Sequence, residues 1–170
     1  DMWTNWLDYR MTAGVAFYYH VQLGCYMHQL VWTEVNRSDA LEMILHHLIT
    51  IFLMSFSLLG NFTRIGTAIL LVHDVADIFL ESGKVVNYIA QNNPRLGWMS
   101  KVCDGMFLCF VLAFVATRLY IFPFVILHSE LISMPLLYGG MGAFYWIFSG
   151  LLCGLQCLHV FWFALIMRMV

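Results

Sequence analysis

The chain of 170 residues is 62% hydrophobic and only 11% charged, where a soluble domain is near a quarter charged, so a water-soluble globule is excluded. The net charge of −2 comes without any basic block, which removes nucleic acid from the partners. Five cysteines without a C-x-x-C pair exclude a disulfide framework or a zinc-cluster scaffold and read as reduced, membrane-buried residues.

Three charge-free runs, residues 11–33, 43–63 and 131–167, each reach the roughly 20 residues that cross a hydrocarbon core of about 30 Å. The chain is therefore read as an all-α integral membrane protein, a polytopic helical bundle of about five spans forming one domain over residues 1–170. It opens without an initiator Met or a signal-peptide pattern, and is read as an excerpt of a longer protein.

Residues 1–10 carry Trp3, Trp6 and Tyr9, the aromatic mark of a membrane interface. The first span covers about residues 11–32 and holds Tyr18, Tyr19, His20, Gln22 and His28. A polar turn, residues 33–39, offers Ser38 or Asp39 as a cap for the second span at about residues 40–59. That span contains His46 and His47, with Thr50 one helical turn on, and Gly60-Asn61 ends it. The third span, about residues 65–88, carries His73-Asp74-x-x-Asp77-x-x-x-Glu81-x-x-Lys84. A fourth runs from Trp98 to about Phe122-Pro123. Residues 124–140, with Pro135 and Gly139-Gly140, are expected to form a loop before the fifth span at about residues 141–169. Lysine and arginine placement, five against three, puts the C-terminus in the cytosol and the 124–140 loop on the far side.

Depth along the helices brings the polar groups together. At 1.5 Å per residue, His46 and His47 lie about 10 Å inside the cytosolic end, Glu81 and Asp77 about 10 and 16 Å, Gln156 and His159 about 14–18 Å, and Asp104 about 9 Å. Asp74, Asp77, Glu81 and Lys84 share one helical stripe, which predicts a central polar cavity open to the cytosol. Each ionised group in a span costs roughly 2.5–3.5 kcal/mol on insertion scales, so these groups pair, face a cavity or do chemistry. Glu81–Lys84 has the spacing of an ion pair, and Arg118 or Lys84 could also neutralise an aspartate. Adjacent histidines point about 100° apart and need separate partners. A neutral imidazole in an apolar site suits a nucleophile or general base, and a nearby carboxylate fixes its tautomer. Two histidines and two aspartates also suit zinc. At this point an enzyme of either kind, including a metal-dependent lipid amidohydrolase, stands beside a non-enzymatic lipid-binding or translocon-associated protein.

HHLITI at residues 46–51 followed by HDVADIFLESGK at 73–84 resembles the signature motif of the ceramide synthases, within the membrane domain called the TLC domain. FYYHVQLGCYMH (17–28), TRLYIFPF (117–124) and LLCGLQCLHVFW (151–162) are similar to other parts of that domain, in order and at family spacing. The resemblance implies spans wrapped around a long cavity, with at least one further span upstream, in a multi-pass protein of the endoplasmic reticulum membrane. It implies transfer of a fatty acyl group from acyl-CoA, as co-substrate, to the amine of a sphingoid base among membrane lipids, with no bound cofactor and no metal; homo- or hetero-dimerisation stays open. His46, His47, Asp74 and Asp77 are the expected catalytic residues, His46 being the first choice of nucleophile or base. Thr50, His73, Glu81, Lys84, Gln156 and His159 are expected to support substrate binding. Residues 128–138, with Leu131, Ile132, Met134 and Leu136, correspond to the loop associated in the family with acyl-length choice.

Overall fold

A computed structural model describes residues 10–32, 39–92, 97–135 and 142–169, and every regular element among them is helical. Helix α1 (Ala13–Trp32) packs on α2 (Ala40–Leu59), which also touches α3 (Thr63–Asn92) and α5 (Ala143–Met169). Helix α4 (Trp98–Phe114) lies along α3 and runs on into two π-helical segments, Val115–Leu127 and Ser129–Ser133. The first of these packs against both α3 and α5.

The turn between α2 and α3 shows how local sequence sets the bundle. Asn61 takes the left-handed conformation, φ 57°, which a short polar side chain tolerates better than a bulky one. The Phe62 amide then donates to the Ser57 carbonyl at 2.8 Å, closing the helix end as a left-handed C-cap. The Ser57 hydroxyl donates to the Phe62 carbonyl at 2.9 Å. Phe144 of α5 packs over this turn so closely that a Cβ on Gly60 would lie 2.6 Å from its ring.

Three helices are long and apolar enough to cross a membrane by length and composition: Ala40–Leu59, the continuous 36-residue helix Trp98–Ser133, and Ala143–Arg168. The other two helices of the expected five are more polar. Helix α1 carries tyrosines, histidines and Gln22, and α3 carries Arg64, Asp74, Asp77, Glu81 and Lys84. Tyr18, Tyr19, Asp74 and Asp77 find polar partners on neighbouring helices, which lowers the cost of holding them at bilayer depth.

The expected loop at residues 124–140 is corrected by the structure. The helix does not stop at Phe122-Pro123 but continues through Pro123 to residue 135. Phe114, Arg118, Phe122, Ile126, Glu130 and Met134 are all buried, a strict four-residue repeat. An α-helix would turn such a column by about 40° at each step, about 200° over five steps. Residues 115–133 instead carry i to i+5 hydrogen bonds, which wind the chain more slowly than an α-helix. Leu131 and Ile132 are exposed on this helix and Met134 is buried in the core, so these three do not form a loop; Leu136 lies outside the described residues.

The main core joins α2, α3, the π-helical segment and α5 through residues such as Leu53, Ile69, Phe122, Phe148 and Leu155. A smaller core holds α1 to α2 and α3 through Tyr19, Tyr26, Met54 and Leu70. A third cluster, Ala76, Phe110, Phe114 and Ile166, seals α3, α4 and α5 together.

Candidate active site

Four histidines from three helices meet in the middle of the bundle: His46 and His47 of α2, His73 of α3 and His159 of α5, all buried. Ring centroids are 5.6 Å apart for His46–His47, 6.2 Å for His46–His73 and 4.9 Å for His73–His159. Tyr26 of α1 stands edge-on to both members of the pair, at 6.2 Å from His46 and 6.0 Å from His47. Trp162 closes the far side of His46 at 5.2 Å. The depth count from sequence brought His46, His47 and His159 into one slab, and these meet here; from the third span it counted Asp77 and Glu81 rather than His73, and Asp104 faces outward and is no part of the site.

Hydrogen bonding sorts the histidines. His73 Nδ1 lies 2.7 Å from the Ile69 carbonyl, an acceptor only, so this nitrogen carries a proton. In the neutral ring His73 Nε2 then accepts, and His159 Nε2, 2.9 Å away, is the donor. His159 Nδ1 is left to accept, and with Gln156 Oε1 3.5 Å from it the amide closes the chain only when turned to present its nitrogen as donor. Both nitrogens of His73 are therefore spent inside the protein. His46 differs: its Nδ1 is buried without a hydrogen-bond partner, an uncommon condition for a buried polar atom. Thr50 serves the same helix, its hydroxyl donating to the His46 carbonyl at 2.9 Å.

The aspartates do not take the expected place beside the imidazoles. Asp74 is held from α1, accepting from the Tyr18 hydroxyl and, at 2.8 Å, from Gln22 Nε2. Asp77 pairs with Arg118 of the π-helical segment, whose Nη2 also donates to the His73 carbonyl at 3.2 Å. The Arg118 guanidinium further sits 5.1 Å over the Phe114 ring. The two aspartates are thus shared between an arginine of the π-helical segment and a tyrosine–glutamine pair of α1. Glu81 and Lys84 form the expected ion pair, 2.7 Å and exposed, toward the end of α3 and away from the histidines. Arg118 takes the ion-pair role that the sequence offered it, whereas Tyr18, Tyr26 and Trp162 are site residues that motif spacing did not single out.

A small, partly open cavity of about 20 Å³ adjoins the site, with Thr50, His73, Tyr19, Tyr26 and Gly66 among its lining residues. Leu53, Met54, Leu70 and Leu155 contribute to its walls, so it is small and mainly apolar, unlike the polar cavity expected from the charged stripe on α3. It has room for about one water. Among the described residues no three His, Cys, Asp or Glu side chains converge in a metal-binding arrangement.

A helical membrane bundle with a buried histidine cluster fed by α2, α3 and α5 defines the class of protein. The chain belongs to the TLC domain family, which it matches over residues 1–168. It is 38% identical to ceramide synthase 5 of Homo sapiens over 168 residues, 98% of this chain and 41% of that protein. Ceramide synthase 4 of Homo sapiens is 38% identical over 175 residues, 99% of this chain and 41% of that protein. Ceramide synthase hyl-1 of Caenorhabditis elegans is 40% identical over 129 residues, 75% of this chain and 33% of that protein. The chain thus spans about two-fifths of the length of the first two relatives.

Proposed function

We propose that the chain forms the membrane core of an N-acyltransferase that moves a fatty acyl group from coenzyme A to the amine of a sphingoid base, giving a ceramide. The observation that carries this reading is His46: a buried imidazole with an unpartnered Nδ1, beside a second histidine and two more whose nitrogens hold each other. Such a ring, kept neutral among apolar and aromatic neighbours, is suited to accept an acyl group or an amine proton. The chain's membership of the TLC family and its similarity to ceramide synthases support the substrate class.

In the reaction, the amine nitrogen bonds to the acyl carbonyl carbon and the carbon–sulfur bond breaks. The proton that leaves the amine passes to the imidazole and then to the departing thiolate. His46 or His47 supplies the nitrogen, either as base or through a transient acyl-imidazole. Asp74, anchored by Tyr18 and Gln22, would hold the substrate ammonium before it loses its proton, while Asp77 fixes Arg118 and through it the backbone of His73. Acyl-CoA approaches from the cytosolic side of the endoplasmic reticulum membrane, where its water-soluble nucleotide remains. One chain's histidines suffice for this chemistry, so a homo- or hetero-dimer is compatible with it and not required.

The test uses full-length protein in microsomes with acyl-CoA and sphinganine, read by mass spectrometry of the lipid product. His46→Ala and His47→Ala are each expected to lower amide formation by about 10²–10⁴-fold, the range for a positioned acid–base group, while the protein still accumulates. Wild-type turnover in either variant removes that residue from the chemistry. Activity is also expected to survive strong chelation; loss that zinc restores would favour a metal-dependent hydrolase instead.

A further inference from the structure

We infer that Gln22 reads a hydroxyl group of the sphingoid base, so that Asp74 and Gln22 together form a two-point seat for a vicinal amino alcohol. The inference rests on the acyltransferase reading and adds a specificity-determining residue to it.

The seat is built on a carboxylate that is held by one oxygen only. The Tyr18 hydroxyl and Gln22 Nε2 donate to the same atom of Asp74, Oδ2, while Oδ1 accepts from no described residue. Both donors are neutral, whereas the carboxylate of Asp77 has a countercharge in Arg118. A carboxylate at bilayer depth with neutral partners alone is a charge still to be balanced, and its open oxygen is the place for an ammonium. Asp74 and Gln22 are each half-buried, so a ligand can reach them.

Gln22 supplies the second point. An ionised carboxylate only accepts hydrogen bonds, so the amide has to turn its nitrogen to Asp74. Gln22 Oε1 is thereby left as an acceptor that no described residue uses. The two open acceptors are near neighbours, because Asp74 Oδ1 and Gln22 Oε1 share their carbon atoms with the two ends of one 2.8 Å hydrogen bond. A molecule with an amine and a hydroxyl on adjacent carbons can donate to both at once, the ammonium to Asp74 and the hydroxyl to Gln22. A sphingoid base carries its amine between two hydroxyl-bearing carbons. Tyr18 spends its proton on Asp74 and acts as a positioning residue.

The seat is also beside the chemistry. Gln22 and Tyr26 are four residues apart on α1 and so share a face, about 5–6 Å apart at Cβ. Tyr26 stands edge-on to His46 and His47, and Asp74 directly follows His73 in the chain. An amine seated on Asp74 is therefore about one helical turn from the imidazoles where the acyl group is transferred.

The experiment gives full-length protein in microsomes one acyl-CoA and an equimolar mixture of sphinganine and 2-aminooctadecane, the same chain without either hydroxyl, and reads the ratio of the two amides by mass spectrometry. Wild-type protein is expected to favour sphinganine about tenfold or more. Gln22→Met, similar in length but without the amide, is expected to lower that preference about threefold or more, the effect of one hydrogen bond. Tyr18→Phe also loosens Asp74 but takes no acceptor from the hydroxyl; it is expected to lower both amides together and keep the ratio. An active Gln22→Met protein with the wild-type ratio overturns the inference, as does a wild-type protein that takes both amines equally, or an equal change of ratio in Gln22→Met and Tyr18→Phe. Should Gln22→Met fail to accumulate, Gln22→Asn, which withdraws the amide by one methylene, carries the same expectation. Equal loss of both amides in whichever variant accumulates overturns the inference too. Absence of amide from the wild-type protein with either amine would instead overturn the acyltransferase reading, so the two failures are distinct.

Discussion

The Arg118–Asp77 pair should break unequally depending on which partner is removed. The Arg118 side chain is 8% exposed and that of Asp77 43%, and Arg118 Nε already lacks a hydrogen-bond partner. Asp77→Asn leaves a guanidinium that cannot give up its proton enclosed between Phe114 and the His73 backbone. Breaking a buried pair in this way costs about 3–5 kcal/mol, and the asparagine oxygen can still accept one bond, so about 3 kcal/mol is expected. Arg118→Met leaves a carboxylate with nearly half its surface open, free to take a proton or a water. The exposed side discounts the loss to about 1–2 kcal/mol. Replacing both, Arg118→Met with Asp77→Leu, should return to within about 1 kcal/mol of wild type, since a buried pair exchanged for apolar packing is often neutral. With about 2–4 °C per kcal/mol for a chain of this size, heating followed by size-exclusion of the detergent-solubilised protein resolves all three. If Arg118→Met loses as much as Asp77→Asn, or the double variant loses the sum of the two, the assignment of the enclosed charge to Arg118 is wrong.

Two further outcomes test the polar network. His159→Gln keeps a donor near the position of Nε2 and is expected to hold the wild-type melting temperature within about 1 kcal/mol, whereas His159→Leu strands His73 Nε2 and should cost about 1–3 kcal/mol; equal losses would refute the proposed tautomers. Glu130 is buried with Oε1 bonded to Ser149 at 3.1 Å and Oε2 unpartnered, so Glu130→Gln, which removes a charge and keeps that bond, should be neutral or stabilising by thermal melt, and a loss near 3 kcal/mol would mean that the carboxylate has a partner other than Ser149.

Much of the frame could be read from residues. The second span was expected at Ala40–Leu59 and is found there, because a charge-free run bounded by Asp39 and Gly60-Asn61 leaves little freedom in its ends. The third runs four residues further than residue 88, to Asn92, since its final turn is polar and falls outside the apolar pattern. Bringing His46 and His159 into one slab needed only the rise of the helix; His73 was not placed by that count. The partners of Asp74 and Asp77 were harder to see. Depth and helical phase state where a carboxylate sits, but which neighbour reaches it depends on how α1 and the π-helical segment turn about their own axes. Pro123 misled the reading of the fourth helix, because proline ends an α-helical pattern while here the backbone had already changed its winding at Val115. The buried column from Phe114 to Met134 could have revealed this, as a repeat of four fits neither an α-helix nor a strand.

That change of winding also gives the helix pair a mechanical character. Two α-helices share one pitch, so one can ratchet past the other by a full turn and find equivalent grooves. The segment Val115–Leu127 lies against α5 with i to i+5 hydrogen bonding in place of the α-helical pattern. Sliding by a turn would carry Arg118 off Asp77 at one end and Glu130 off Ser149 at the other without offering either a substitute. The wall of the site on this side is thereby fastened at two levels, by Arg118 to Asp77 and by Glu130 to Ser149.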